Sequence, residues 1–130
     1  MDQTQTGNIS WFDLTVPDAA KVKDFYAGVT GWKAAEFDMG GYSDYVMNRP
    51  SDGKAVAGVC WSRGVNAALR PVWLIYINVD NLDVAIGRCL ELGGTIRTEP
   101  AVMDGYGRYC VIQDPAGAVA ALFEASPPAS

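Results

Sequence analysis

The chain has 130 residues, enough for one domain with a hydrophobic core, and its net charge is −5. Its 10 basic residues are scattered among 15 acidic ones, which argues against a nucleic-acid partner because no basic surface can neutralise phosphates. No apolar run approaches the roughly 20 residues of a membrane span, and residues 1–10 lack the features of a signal peptide, so we expect a cytoplasmic protein without a membrane partner.

The same pattern occurs twice along the chain, at an offset of 63 to 64 residues. Gly31 returns as Gly94, and the run GYSDY at 41–45 is echoed by GYGRY at 105–109. Solenoid units stack in at least three copies, so a unit repeated twice predicts two halves that cover each other's apolar faces. Such pairs generally enclose a cleft.

Residues 9–16 and 74–79 are predicted to form the first strand of each half. In both, one face is uniformly apolar and the other is mixed. The apolar residues are Phe12, Leu14, Val16, Ile75, Ile77 and Val79, and the mixed ones are Trp11, Asp13, Thr15, Leu74, Tyr76 and Asn78. Alternation at period two places one face against a helix, and we expect function on the mixed face.

A helix is predicted after each of these strands. Asp18 and Asn81 can accept a hydrogen bond from the free amides of a starting helix. Apolar residues then recur at helical spacing and predict the packed faces: Val22, Phe25, Tyr26 and Val29, and later Leu82, Ala85, Ile86, Cys89 and Leu90. Gly31 and the pair at 93–94 end the helices, since only glycine enters the left-handed conformation cheaply.

Three shorter strands are expected after each helix, separated by turns rich in glycine and aspartate. They fall near 32–37, 44–48, 55–61, 95–99, 109–113 and 119–124. Each half is therefore predicted to be a β-α-β-β-β module. We place the first module at about 8–63, a linker at about 63–71 and the second module at about 72–125, within a single domain spanning 1–130.

Paired modules of this kind, with WFDLTVPD at 11–18, Phe25-Tyr26, Gly31-Trp32 and a closing DPAG at 114–117, resemble the vicinal oxygen chelate superfamily. That superfamily includes glyoxalase I, the bleomycin-resistance proteins and the extradiol dioxygenases. The resemblance covers essentially the whole chain. It implies an α+β fold in which two βαβββ modules form a curved mixed sheet, or cup, with the helices packed on its convex face. The motifs that carry the resemblance indicate the fold specifically, but they indicate the activity only weakly.

The resemblance also implies where metal-dependent members hold their metal. The first-strand histidines would fall at Trp11 and Leu74, and the last-strand carboxylates at Ala57 or Gly58 and at Ala121. None of these side chains can bind a metal. We therefore expect no metal and no cofactor.

The chain contains no histidine, so no Ser-His-Asp triad, Cys-His pair or two-His-one-carboxylate iron site can be built. An all-oxygen magnesium or calcium site needs several convergent carboxylates, and the predicted pocket face offers only Asp13. The cysteines, Cys60, Cys89 and Cys110, are odd in number and too widely spaced for a C-x-x-C motif. We interpret them as reduced, small hydrophobes.

Asp13 is the candidate catalytic residue. Burial beside Trp11 would raise its pKa and suit it to general-base work, whereas the alternative is a carboxylate that supports the cup or anchors a ligand. The expected ligand contacts are Trp11, Asp13, Thr15, Gly58, Leu74, Tyr76, Asn78, Ala121 and Phe123. Tyr45 and Tyr109 occupy equivalent positions of the repeat, and the sequence leaves open which of their strand faces points inward.

Three functions stay open at this point. The first hypothesis is a metal-independent binder of a small, partly apolar molecule, similar to the bleomycin-resistance branch. The second is a metal-free isomerase or lyase that uses Asp13 as acid and base, with Tyr76 as a candidate partner. The third is a non-catalytic interaction module whose cup is filled by its own side chains. The aromatic-rich surface favours a homodimer, and the cup could form within one chain or by exchange of modules between two.

Overall fold

The computed structural model describes residues 5–63, 70–103 and 105–126. The elements are, in order, β1 (Ile9–Val16), α1 (Ala19–Thr30), β2 (Lys33–Asp38), β3 (Ser43–Asn48), β4 (Ala55–Trp61), β5 (Trp73–Asn78), α2 (Leu82–Glu91), β6 (Thr95–Met103), β7 (Gly107–Gln113) and β8 (Val119–Ala125). The prediction of an α+β protein with two βαβββ modules is confirmed. Most of the predicted linker lies outside the described residues.

The chain divides into two compact units. The first unit runs from Trp11 to Trp73, and the second combines the chain from Leu74 onward with the residues up to Ser10. In the second unit, Asn78 fixes the N-terminal segment, because its carbonyl accepts from the amide of Gly7 and its own amide donates to the carbonyl of Asn8, each at 2.8 Å. That the two units form one domain stays a prediction.

Each unit contains a mixed four-stranded sheet with the same strand order. In the first unit the order is β2-β3-β4-β1, with β1 parallel to β4 and the other pairs antiparallel. In the second unit it is β5-β8-β7-β6, with β5 parallel to β8. The edge strand β6 runs four residues beyond its predicted end, to Met103. Its register shifts between Thr98 and Ala101, where Pro100 can be accommodated because an edge strand tolerates a missing donor.

The helix of each unit packs on one face of that unit's sheet. The core of the first unit consists of Leu14, Val16, Ala19, Tyr45, Met47, Ala57 and Val59. The core of the second unit consists of Leu82, Cys110 and Leu122, with Ile77, Ile86 and Ile112 packed against them. Burying one such large aliphatic side chain contributes about 1.5–3 kcal/mol, so these faces hold each helix on its sheet.

Both predicted helix caps are confirmed. Oδ1 of Asp18 accepts from the amide of Lys21, and Oδ1 of Asn81 accepts from the amide of Val84, each at 3.1 Å. Gly31 ends α1 in the left-handed conformation, with φ of 81°. Within the described residues, neither helix has the length and apolar character needed to cross a membrane.

The packed face of α1 differs from the prediction. Phe25 and Val29 are 59% and 66% exposed, whereas Ala19, Val22 and Tyr26 lie on the core. The buried stripe is rotated toward the alanine side of the helix, because small side chains allow a close approach to the sheet. The prediction is therefore wrong for Phe25 and Val29. In α2 it is likewise wrong for Leu90, which is exposed.

Candidate functional site

The pairing of β1 with β4 decides which of two neighbouring residues faces the predicted site. Asp13 is paired with Gly58, and Leu14 with Val59. Residues directly opposite each other in a sheet share a face, so Gly58 lies beside Asp13. Ala57 points to the other face, where it is part of the core under α1. Gly58, and not Ala57, therefore shares a face with Asp13, while the match of Gly58 to a metal-ligand position stays a prediction.

Trp11 and Asp13 form a hydrogen-bonded pair on this face. The indole Nε1 of Trp11 donates to Oδ1 of Asp13 at 2.6 Å. A Cβ atom on Gly58 would collide with the same Oδ1 and would lie 3.3 Å from Cγ of Asp13. The carboxylate therefore lies directly over the glycine, where a larger residue would displace it. A hydrogen bond of 2.6 Å is short for an N–H donor, so the indole fixes the position of the Asp13 carboxyl group.

A second carboxylate, Asp44, lies on the same face. Thr15 is paired with Cys60, and the register of β3 with β4 places Asp44 opposite Cys60. Burial raises the pKa of the Cys60 thiol, and the charges of Asp13 and Asp44 raise it further. The expectation that this face offers only Asp13 is wrong. The sequence did not reveal Asp44 because it left the inward face of β3 open.

The positions at which the resemblance predicts metal ligands hold Trp11, Leu74 and Ala121, and Gly58 or Ala57. None has a side chain that coordinates a metal. Among the described residues, no group of three or more His, Cys, Asp or Glu side chains could hold a metal ion. That the chain works without a metal stays a prediction, and the chemistry of these four side chains supports it.

The predicted site residues of the second unit also share one face. Tyr76 is paired with Ala121 and Asn78 with Phe123, and Leu74 lies two residues before Tyr76. Tyr109 is paired with Phe123, and its ring centroid is 5.8 Å from that of Tyr76. Tyr76 is only 4% exposed, and Leu74 and Ala121 are also buried. In this unit the predicted binding face is packed.

The two tyrosines of the sequence echo lie on opposite faces of their sheets. Tyr45 is paired with Val59 and belongs to the core under α1, whereas Tyr109 is paired with Phe123 on the face away from α2. A slip of one residue turns every side chain of a strand to its other face. The repeat equivalence inferred from the sequence is therefore wrong for Tyr45 and Tyr109.

Asn78 is engaged with the N-terminal segment. Its Oδ1 accepts from the hydroxyl of Ser10 at 2.8 Å, and its Nδ2 donates to the carbonyl of Gln5 at 3.4 Å. Asn78 is 1% exposed. These contacts attach the start of the chain to β5, and a role for Asn78 in orienting a ligand stays a prediction.

On the helix side of the second unit, Glu124 connects β8 to the start of α2. Its Oε1 accepts from the amide of Leu82 at 2.8 Å and from Nη2 of Arg108 at 3.1 Å. The Arg108 guanidinium and, to a smaller extent, the Leu82 amide lower the pKa of Glu124 below its ordinary value. Arg108 also reaches Asp83 at 3.4 Å, in the first turn of the helix.

The chain has the architecture of a paired-module α+β protein. Each βαβββ module pairs its first and last strands in parallel and has its helix on one face of the sheet. The chain belongs to the Glyoxalase/Bleomycin resistance protein/Dioxygenase superfamily, whose family model matches residues 8–122. The resemblance inferred from the sequence motifs is confirmed.

The chain is similar to two curated proteins of streptomycetes. It is 33% identical over 138 residues to the anthracycline biosynthesis protein DnrV of Streptomyces peucetius, covering 95% of this chain and 49% of the relative. It is 32% identical, with the same coverage, to the anthracycline biosynthesis protein DauV of Streptomyces sp. (strain C5). The chain thus spans about half the length of the curated relatives it matches.

Solved structures share the fold at low sequence identity. Methylmalonyl-CoA epimerase from Mycobacterium tuberculosis is 16% identical with a TM-score of 0.59, covering 95% of this chain and 93% of that one. A hypothetical protein from Bacillus halodurans is 13% identical with a TM-score of 0.61, covering 97% and 99%. At these identities the likeness concerns the fold alone.

Proposed function

We propose that the chain is a metal-independent binding domain for a small, partly apolar molecule. The observation that supports this best is the Asp13 carboxylate, which lies over Gly58 and accepts from the Trp11 indole at 2.6 Å. Where the resemblance implies a metal-binding carboxylate and a histidine, the chain has Gly58 and Trp11 instead. The face then offers an aromatic surface beside a fixed hydrogen-bond acceptor, which is the usual composition of a small-molecule site.

Flat aromatic or conjugated molecules are the ligand class that this proposal favours. An indole ring stacks on such molecules and contributes about 0.5–1.5 kcal/mol beyond the area it buries. Two relatives are named as anthracycline biosynthesis proteins, which makes polycyclic aromatic compounds a reasonable first set of ligands. A hydroxyl on such a ring could donate to Asp13.

The test is a ligand screen by thermal shift and tryptophan emission. Ligands that bind the folded protein should raise the melting temperature and change the emission. In Trp11→Phe the emission response should largely vanish while weaker binding persists. Trp32→Phe is the control for the other face of the sheet and should leave the response intact; a response lost in Trp32→Phe would place the ligand in the apolar pocket that Trp32 lines. An unaltered response in Trp11→Phe would contradict this location of the site.

Metal independence has its own test, which is elemental analysis of the protein after dialysis. We expect no stoichiometric divalent metal, because Trp11, Gly58, Leu74 and Ala121 cannot act as ligands. Nickel, zinc, iron or manganese near one equivalent, resistant to chelation and lost in Asp13→Asn, would overturn this part of the proposal.

A second candidate function is a non-catalytic interaction module. The burial of Leu74, Tyr76 and Ala121 favours it, because in the second unit the predicted binding face is filled by the chain's own side chains. Absence of any ligand response across the screen would select this candidate. Turnover that depends on Asp13 would instead select the metal-free isomerase or lyase.

We also propose that the protein is a cytoplasmic homodimer. Exposed apolar side chains support the dimer: Phe12 is 41% exposed, and Phe25 and Val29 are more than half exposed. Phe12, Trp32 and Trp73 are among the residues that line an apolar pocket of about 310 Å³ in the first unit. Sedimentation at micromolar concentration should give the mass of two chains, and a monomer would contradict the proposal.

A further inference from the structure

A larger pocket lies on the helix side of the first unit's sheet, away from Trp11 and Asp13. It is an open depression with a volume of about 380 Å³. Its lining residues are Glu36, Tyr42, Ser43, Tyr45, Trp61 and Arg63. Because Tyr45 is paired with Val59, its side chain faces away from Gly58, so this pocket is separate from the site of the proposed function.

Tyr45 and Trp61 give the pocket fixed aromatic walls. Tyr45 is buried, and the Lys23 ammonium lies 5.0 Å from its ring centroid. Nε1 of Trp61 donates to the carbonyl of Ser43 at 2.9 Å. The polar atom of the indole is therefore satisfied, and the rest of the ring offers carbon surface to a ligand.

Arg63 supplies a cation that has no acidic partner in the part of the chain that the structure describes. Its guanidinium carbon lies over the ring of Tyr42, 3.8 Å from the ring centroid, which is a cation–π contact. Within the described residues, Arg63 takes part in no ion pair and no hydrogen bond. A cation–π contact uses no N–H group as a hydrogen-bond donor to an oxygen, so the N–H groups of Arg63 are available to an acceptor on a ligand. The N–H edge of a guanidinium matches the two oxygens of a carboxylate.

We propose that this pocket binds a small aromatic carboxylic acid. The ring contacts Tyr45 and Trp61, and the carboxylate is held by the guanidinium edge of Arg63. Glu36 adds a negative charge to the lining, which disfavours a second acidic group on the ligand. The ligand is therefore a monoacid with an apolar ring. This site is additional to the face that contains Trp11 and Asp13.

The test is calorimetric titration with naphthoate, compared with the uncharged naphthamide as a probe of the same ring. The wild-type protein should bind naphthoate at least tenfold more tightly than the amide. In Arg63→Gln the affinity for naphthoate should fall about 10- to 100-fold, as expected for a lost charged hydrogen bond, while that for the amide stays the same. Glu36→Gln should strengthen the binding of naphthoate or leave it unchanged.

Two controls make the result specific. Arg88→Gln removes the same charge from an exposed position in α2 and should leave both affinities unchanged. Trp11→Phe should leave the affinity for naphthoate unchanged, because Trp11 belongs to the other site, where the Asp13 carboxylate disfavours an acid. The proposal is overturned by no binding of naphthoate at millimolar concentration, by equal binding of acid and amide, by wild-type affinity in Arg63→Gln, or by loss of binding in Trp11→Phe. The last result would leave the proposed function standing.

Discussion

Replacing Gly58 with alanine is expected to displace the Asp13 carboxylate from its place over β4. The new Cβ atom would collide with Oδ1 of Asp13 and would lie 3.4 Å from Nε1 of Trp11. The hydrogen bond between these two side chains would break, and a bond to a charged group is worth about 1.5–3 kcal/mol. Alanine also restricts the unfolded chain and so returns about 0.4–1 kcal/mol. The net loss in free energy of unfolding is about 1–2 kcal/mol.

A double-mutant cycle measured by urea unfolding separates this contact from other effects. In an Asp13→Ala background the collision is absent, so Gly58→Ala should stabilise the protein by about 0.4–1 kcal/mol. The coupling energy between the two positions is then about 2 kcal/mol. Gly28→Ala is the matched control, because a Cβ atom there has no neighbour within 4 Å and alanine is favoured in a helix. A loss from Gly58→Ala that is equally large in both backgrounds would refute the reasoning.

Three further outcomes are expected. Tyr26→Ala should lower the free energy of unfolding by about 2–3 kcal/mol, because Tyr26 packs against the core and its hydroxyl accepts from Nε1 of Trp73. Phe25→Ala should lower it by less than about 1 kcal/mol, because Phe25 is exposed. Equal losses in urea unfolding would contradict the observed helix face. Because the folded-state pKa of Glu124 lies below its ordinary 4.5, its contacts stabilise the protein above that pH and are lost as the pH falls through the lowered value. Glu124→Gln should therefore be less stable than wild type at pH 7 and equal to it in strong acid, and a constant difference across a pH series would argue against this. Iodoacetamide at pH 8 should label Cys60 and Cys110 only slowly in the native protein. Burial raises the pKa of Cys110 to about 11, and desolvation together with the charges of Asp13 and Asp44 also raises the pKa of Cys60; rapid labelling, read by mass spectrometry, would contradict these raised pKa values.

The order of the elements and the limits of the helices could be predicted from the sequence because local interactions determine them. Asp18 and Asn81 cap the helices that follow them through bonds to backbone amides three residues away. Alternation along β1 placed Trp11 and Asp13 on one face, and their side chains are hydrogen-bonded there. A strand turns its side chains by period two wherever it lies, so this placement needed no knowledge of the rest of the protein.

Pairing between distant strands was decided by the tertiary structure alone. The choice of Gly58 over Ala57, the position of Asp44, and the opposite faces of Tyr45 and Tyr109 all depend on register. Register is set by which apolar side chains become buried together and by the lengths of the connections, and a shift of one residue reverses every face. The exposure of Phe25 has a similar cause, because a helix rotates until its best-fitting stripe meets the sheet. A local sequence pattern does not show which strand pairs with which, or which stripe of a helix meets the sheet. The site residues on β1 could therefore be predicted, whereas their neighbours on β3 and β4 could not.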